Sequence, residues 1–353
     1  MLDSFRDSFR LPDLKRRILF TLAALFFYRL GAHIPTPGVD TAALGRLFDQ
    51  GSILGFLDLF AGGALSRFSI FALGVTPYIN SSIVFQLLGV VVPSLEKMQK
   101  EGEEGRKKIV QWTRYGTIVF AFIQAVGMTG WLRGLGIYSG GIIDITLVAM
   151  TLTAGAVAVM WLGEIMSDHG IGNGISLLIF AGIIVRIPEA VIRTFSLVRL
   201  GEMNILVLLL PIAIMLAVIA GCVLLQEGQR RLPVQYAKRM IGNKIYGGQS
   251  SYIPLRVNTA GVIPIIFASS ILLFPYTIAG LFNHSVARAV QQAMSPSSPI
   301  YIVLYVALII FFSYFYTAVV FKPEDISNNM KKNGGFILGI RPGKPTTDYI
   351  EKV

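Results

Sequence analysis

The pattern of apolar and polar positions along the chain predicts a bundle of membrane-spanning helices. Long stretches with few or no charged residues recur, and a helix needs about 20 such residues to cross a bilayer. Eight stretches qualify: 18–34, 71–92, 115–132, 145–163, 174–192, 205–226, 259–282 and 300–321. The predicted fold class is therefore all-α, a polytopic membrane helix bundle with eight visible spans.

A further apolar stretch, which overlaps the second span, is interrupted in an unusual way. Residues 51–86 start like a membrane helix, break at Gly62-Gly63 and then continue as a long uncharged span. Backbone that leaves its helix at membrane depth must be buried in protein or line a wet cavity. The break therefore predicts part of a pore that is plugged at rest. Arg29 and Arg186 lie near span ends, where long side chains can snorkel to the membrane surface, so neither requires a site inside the membrane.

Composition supports a membrane protein and argues against several other classes. Charged residues make up 14% of the chain, against about 25% in soluble domains, and the mean hydropathy is +0.64. Residues 1–17 carry mixed charges directly before the first apolar run, so we expect no cleavable signal. One cysteine and three histidines argue against a disulfide framework or a metal site.

No catalytic or cofactor motif is visible. The glycine-rich run at 170–174 lies between two spans, and no soluble strand precedes it, so it is not a dinucleotide fingerprint. Glu164, Asp168 and His169 cluster at a membrane edge, where a headgroup-level loop is favoured over acid–base catalysis. We therefore expect no cofactor and no enzymatic activity.

The distribution of basic residues predicts orientation. With the N-terminus inside, 23 of the 31 Lys and Arg residues fall in cytoplasmic segments, which satisfies the positive-inside rule with both visible ends inside. The net charge of +11 is then concentrated on one face. That face could attract an acidic or nucleic-acid partner, or anionic lipid headgroups.

Two cytoplasmic loops are longer than a connection requires. In residues 227–256, Val234-Gln235-Tyr236 and Lys244-Ile245-Tyr246 flank Ile241-Gly242-Asn243, a pattern that predicts a hairpin with a basic tip. In residues 322–353, the run Gly339 to Lys344 predicts a turn that holds Arg341 outward for bidentate capture of carboxylate or phosphate. A solvated, unengaged turn is the alternative.

Small patterns inside the spans each have two interpretations. In three spans a glycine is followed directly by a branched residue, and an isoleucine lies four positions after that branched residue. The branched side chains could together form a tight apolar ring, or they could simply face lipid. Polar residues within spans, such as Asn80, Ser81 and Asn258, could join helices or mark a seam that opens.

Four ordered motifs give the chain a resemblance to the SecY family, the central subunits of bacterial protein-conducting channels. The motifs run from Arg29 to Val39, from Gly62 to Ile79, from Trp161 to Ser176, and from Gly339 to Gly343. The resemblance covers nearly the whole chain. It implies an hourglass pore inside ten spans arranged as two inverted halves, so we expect two further spans after Val353. The visible halves would be residues 1–195 and 196–353, the second including loops at about 227–257 and 322–353.

The resemblance also implies a role for individual residues. The plug helix would occupy about 53–67, with Phe60, Gly62, Gly63, Leu65 and Arg67. The pore ring would consist of Val75, Ile79, Ile175, Ile179, Val262 and Ile266. The lateral gate would include Asn80, Gln86, Asn258 and Phe274. Docking of SecA or the ribosome would use Arg230, Arg231, Lys238, Arg239, Lys244, Arg341 and Lys344.

The function implied is a passive channel in the bacterial cytoplasmic membrane, with the N-terminus in the cytoplasm. Unfolded preproteins with signal sequences would cross through it, and membrane segments would leave sideways into lipid, driven by SecA or the translating ribosome. SecE and SecG would be partner subunits, and basic loops would contact ribosomal RNA. A secondary transporter is the alternative, because it also uses broken helices.

Overall fold

The computed structural model describes residues 11–39, 44, 58, 61–134, 136–138, 140–201, 205–236, 239–241, 244–246, 250–279, 285–295 and 298–353. Helices dominate these residues, as the sequence predicts. The short strands are confined to 229–256 and 335–336.

The helices and strands follow one another in this order: α1 Pro12–Gly31, α2 Thr76–Val91, α3 Pro93–Lys100, α4 Glu103–Gly134, α5 Ile142–His169, α6 Gly174–Ile184, α7 Arg186–Arg199, α8 Ile205–Glu227, β1 Gln229–Tyr236, β2 Arg239–Ile241, β3 Lys244–Tyr246, β4 Ser250–Arg256, α9 Ile263–Ala279, α10 Ser285–Ala293, α11 Pro299–Val320, α12 Pro323–Lys332, β5 Gly335–Phe336 and α13 Lys344–Lys352.

A helix corresponds to each of the eight predicted spans. Among the described residues, five segments are long and apolar enough to cross a membrane: α4, α5, α6 with α7, α8, and the segment that begins with α11. Helix α2 has 16 residues, and the apolar part of α9 is also short. The number of spans therefore stays a prediction.

Three helices differ in their bounds from the predicted spans. The second span does not begin at residue 71, because residues 71–75 form turns and α2 begins only at Thr76, with Pro77 in its first turn. Helix α4 begins earlier than predicted, since residues 103–114 extend it as a charged segment. The fifth span is divided, because α6 ends at Ile184 and α7 follows from Arg186.

The first of two compact units comprises residues 1–199 and 266–307. Small side chains let its helices approach closely: Ala121 and Ala125 of α4 share a buried cluster with Ala149 and Ala156 of α5. Such small residues are typical of helix interfaces in membranes, where close backbone packing replaces the hydrophobic effect.

The second unit comprises residues 200–265 and 308–353. Strand β1 pairs antiparallel with β4 on one side and with β5 on the other, so the strand order is β4-β1-β5. The sheet and helices α12 and α13 share one apolar core, formed by Leu232, Val234, Met330, Ile337 and Ile350.

The predicted hairpin exists, but its strand pairing differs from the one that the sequence suggested. Val234 pairs with Ser251, and the segment Lys244–Tyr246 pairs instead with Arg239–Ile241 to make a separate small hairpin, β2-β3. Two nested antiparallel pairs therefore replace the single pair. The sequence pattern missed the outer pair because β4 contains Pro254, which is atypical of a strand interior.

Candidate functional site: a buried plug segment and an apolar ring

The plug segment, defined here as the non-helical residues 62–75, lies inside the first unit. Ala64, Leu65 and Phe68 are at most 4% exposed. Its main chain is bound to the end of α1: Thr36 N–H donates to the Phe68 carbonyl at 2.9 Å, and Ile70 N–H donates to the Ile34 carbonyl at 3.0 Å. The backbone at the break is thus buried and hydrogen-bonded by protein, as membrane depth requires.

Two adjacent glycines shape the start of this segment. Gly62 and Gly63 have φ values of +64° and +84°, a region that other residues rarely adopt. A Cβ on Gly62 would lie 2.8 Å from the Cα of Gly182 on α6, so the two backbones touch. Arg29 on α1 donates from Nη1 to the Gly62 carbonyl at 2.6 Å. Both neighbouring helices therefore hold the same turn.

Asp58 is the residue that organises the turn, and the sequence analysis missed it. Its side chain is fully buried and forms an ion pair with Arg186. The Oδ1 atom also accepts hydrogen bonds from the main-chain N–H groups of Leu65 at 2.9 Å and Ser66 at 3.1 Å. A lone carboxylate within an apolar stretch requires a partner, and that signal was available in the sequence.

Arg29 and Arg186 therefore both have partners inside the protein, which their positions near span ends did not require. Their guanidinium groups contact the predicted plug region, since Arg29 binds the Gly62 carbonyl and Arg186 binds the Asp58 carboxylate. The physical reason is the burial of the Asp58 carboxylate and of Gly62, because their oxygen atoms need hydrogen-bond donors away from water.

The remaining predicted plug residues have different placements. Leu65 is buried at 4% exposure, whereas Arg67 is exposed. Phe60 and residues 53–57 lie outside the described residues. Residues 62–67 form turns, so the predicted plug helix does not extend to 67; a helix over the earlier residues stays a prediction.

Five of the six predicted ring residues lie together. Val75 and Ile179 are buried members of one apolar cluster, and Ile79, Ile175 and Ile266 pack against it. They come from the start of α2, from α6 and from α9. The sixth, Val262, lies in the turn before α9, belongs to the second unit and is 50% exposed.

The predicted gate residues differ in burial and in the contacts that they make. Asn80 on α2 is 9% exposed, and Gln86 is half-buried. Asn258 accepts the Gly261 N–H through Oδ1 at 2.9 Å and so caps the turn before α9. The side chain of Phe274 lies outside the described residues.

Beside Asn80, Ser81 joins two helices. Its Oγ donates to the Thr113 carbonyl on α4 at 2.7 Å, and a Cβ on Gly116 would lie 2.3 Å from that Oγ. Ser81 therefore joins α2 to α4 in this structure; the opening of a seam beside it stays a prediction.

Two buried hydroxyl groups support the main chain of the predicted docking turn. Thr346 Oγ1 donates to the Arg341 carbonyl and Ser327 Oγ donates to the Gly343 carbonyl, each at 2.9 Å. Both hydroxyl-bearing residues are 2% exposed, whereas Arg341 and Lys344 are exposed. The turn therefore presents two cations on a fixed support.

Two basic residues of the other loop, Arg230 and Arg231, point in different directions. Side chains alternate along a strand, so Arg230 and Arg231 on β1 lie on opposite faces of the sheet. The guanidinium of Arg231 stacks over the ring of Tyr252, 4.8 Å from its centre. Arg239 and Lys244 lie in β2 and β3, but their side chains, like all of Lys238, lie outside the described residues.

Glu164 has a structural partner. Arg114 on α4 binds both of its carboxylate oxygens, at 3.0 Å from Nε and 2.9 Å from Nη2. This pair fixes α4 to α5. Within the described part of the chain, no group of three or more His, Cys, Asp or Glu residues lies close enough to hold a metal ion.

The arrangement defines a class: a helical membrane protein in which a buried non-helical segment lies beside an apolar cluster drawn from several helices. Solved protein-conducting channels have this fold. One such channel superposes with a TM-score of 0.68 over 96% of this chain and 81% of its own, at 19% identity. Sec61 in a canine ribosome–channel complex superposes with a TM-score of 0.62 over 96% and 80%, also at 19% identity.

Sequence comparison gives the family. The SecY family model matches residues 69–353, and this chain belongs to the SecY family. The protein translocase subunit SecY of Escherichia coli K12 is 48% identical over an alignment of 355 residues that covers 97% of this chain and 80% of that protein. The Vibrio cholerae subunit is 48% identical over 356 residues, with the same coverage.

Proposed function

We propose that this chain forms a channel through which unfolded polypeptides cross the cytoplasmic membrane of a bacterium. Membrane segments of the substrate would leave it sideways into lipid. The chain itself is passive and not an enzyme, and SecA or the translating ribosome supplies the energy. The family relationship supports this proposal, since the relatives in E. coli and V. cholerae are named protein translocase subunits.

The observation that carries the proposal is the apolar cluster around Val75 and Ile179, with Ile79, Ile175 and Ile266 packed against it. Branched apolar side chains at a constriction disfavour water and ions, yet they bind a passing polypeptide only weakly. Such a ring would act as a gasket around the substrate. The buried segment that begins at Gly62 would close the pore at rest.

Partners of the channel are also proposed. SecE and SecG would complete the membrane complex, and SecA or the ribosome would bind the exposed cations of the second unit, such as Arg341. The fold neighbour in a canine ribosome–channel complex supports a ribosome partner. The concentration of Lys and Arg in alternate loops supports a cytoplasmic N-terminus. A small subunit with one to three spans should copurify with the chain.

The secondary transporter is not retained, because the chain belongs to a family of translocase channels. A transporter would also need a substrate or ion site near the midplane. The polar contacts at the broken segment serve instead to hold protein to protein, as the pairing of Asp58 with Arg186 illustrates.

Ion conductance across planar bilayers tests the proposal. Replacing Ile79 and Ile179 by Gly should raise the resting conductance, since shorter side chains lower the barrier to wetting. Phe180→Gly is the matched control, because Phe180 neighbours Ile179 but is 57% exposed. An unchanged conductance in the double variant, or an equal rise in the control, would argue against the ring.

A further inference from the structure

We propose that Asp58 and Arg186 form an electrostatic latch, reinforced by Arg29, that holds the plug segment closed and sets how readily the channel opens. The inference rests on the proposed function and names three charged residues that regulate the resting state of the channel. Here the latch means these three residues and their contacts.

The latch has a fully buried acceptor and a partly exposed donor. The Asp58 side chain is 0% exposed, whereas that of Arg186 is 31% exposed. Because an unpaired buried carboxylate is strongly destabilising, the closed position of the segment depends on Arg186. The partial exposure of Arg186 lets water replace the carboxylate when the segment moves away.

Contacts on α6 and just beyond it fix the site where the segment docks. Gly182 and Arg186 are four residues apart, and Val185 between them keeps a right-handed helical conformation, so the two residues share a face. Gly182 lets the Gly62 backbone approach, since a Cβ on Gly62 would be 2.8 Å from the Gly182 Cα. Arg186 then reaches Asp58.

Helix α1 supplies the second anchor. Arg29 donates to the Gly62 carbonyl at 2.6 Å, so the turn is held by α1 and by the α6 side at the same time. The positive-inside distribution assigns both anchoring ends to the outer side of the membrane. The segment is therefore attached where a plug would close the outer half of a pore.

Asp58 also links the latch to the shape of the segment. Its Oδ1 accepts the N–H groups of Leu65 and Ser66, and its carbonyl accepts the Gly63 N–H at 3.1 Å. Asp58 thus stabilises the turn and also binds it to Arg186. A change that removes only the charge can separate these two roles, because an asparagine side chain still accepts hydrogen bonds.

The test uses the full-length channel with its copurifying subunits, reconstituted in bilayers and vesicles. Asp58→Asn and Arg186→Gln should each raise the resting conductance by about ten-fold, because either change removes one of the two charges whose pairing holds the segment in place. Arg186→Lys keeps the charge and should stay near the wild-type conductance. Arg193→Gln is the matched control, since it breaks an exposed pair with Glu189.

The double variant Asp58→Asn with Arg186→Gln covers the case in which a single variant does not assemble, because it leaves no unpaired charge. Its conductance should not exceed that of the more open single variant, as coupled residues are non-additive. Wild-type conductance in Asp58→Asn and Arg186→Gln, or fully additive effects, would overturn the latch. Preprotein transport, measured in parallel, distinguishes failure of the latch from failure of the proposed channel function. Normal transport and unchanged conductance in the two single variants would reject the latch alone. No transport by the unmodified channel would reject both the latch and the channel function.

Discussion

Gly155 on α5 lies directly against the main chain of Ile70. A Cβ on Gly155 would be 1.8 Å from the Ile70 carbonyl oxygen. The residue therefore leaves room for a non-helical segment to lie against a membrane helix. Phe71, the next residue, stacks on Tyr28 of α1 with ring centres 6.0 Å apart. The segment is thus enclosed by α1 on one side and α5 on the other.

Gly155→Ala should destabilise the assembled channel by about 1–3 kcal/mol, the usual cost of overpacking a tight contact. The new methyl group must displace either α5 or the Ile70 backbone. Thermal unfolding in detergent measures the effect. Gly221→Ala on α8 is the control, since a Cβ there has no neighbour within 4 Å and alanine favours helix. Equal melting temperatures for the two variants would contradict the close contact.

A disulfide between cysteines at Asn80 and Phe274 should arrest signal-sequence entry and transport, and reduction should restore both. The prediction follows from the proposed gate between α2 and α9, whose opening requires the two helices to part. Cys222, the only native thiol, is changed to Ser in the same protein. Transport of a test preprotein under oxidising and reducing conditions is the measurement.

The matched control ties α2 to a different helix. Cysteines at Ser81 and Gly116 suit a disulfide, because a Cβ on Gly116 would be 3.4 Å from the Ser81 Cβ, close to the usual separation. This bond joins α2 to α4, which already share a hydrogen bond, and should leave transport unchanged. Efficient crosslinking at positions 80 and 274 with normal secretion would reject a gate at that seam.

Arg341→Glu should weaken SecA binding to reconstituted vesicles by at least about ten-fold while membrane assembly stays normal. The side chain is exposed, and the supporting bond from Thr346 goes to the main chain, so the substitution removes no packing. Lys332→Glu is the control for charge reversal in the same unit. Wild-type SecA affinity and wild-type transport in the Arg341 variant would remove the docking role.

The sequence predicted the positions of the helices better than it predicted the contacts between them. Apolar runs located a helix for each of the eight stretches predicted within this sequence, because a segment that crosses lipid must be apolar over most of its length. The true start of α2 at Thr76 could not be read from hydropathy, since residues 71–75 are as apolar as a helix and turn only because the tertiary structure accommodates them. The same limit applies to the division between α6 and α7.

Site residues show a similar contrast. The repeated spacing of glycine and branched residues suggested Val75, Ile79 and Ile179, which the structure brings into one cluster. The partners of Asp58 were not readable, because Arg186 lies far along the chain and only the fold brings the two charges together. Long-range polar pairs need three-dimensional information, whereas periodic apolar patterns are local.

The most direct test of the central claim, that polypeptides pass through the apolar cluster, is site-specific photocrosslinking to a preprotein arrested in transit. A photoreactive residue in place of Ile179 should form adducts with the arrested chain. One in place of the adjacent Phe180, which is 57% exposed, should form few. Adducts at position 179 should also disappear when the preprotein lacks its signal sequence. Active transport with no adducts at position 179, or with equal labelling at both positions, would contradict the account.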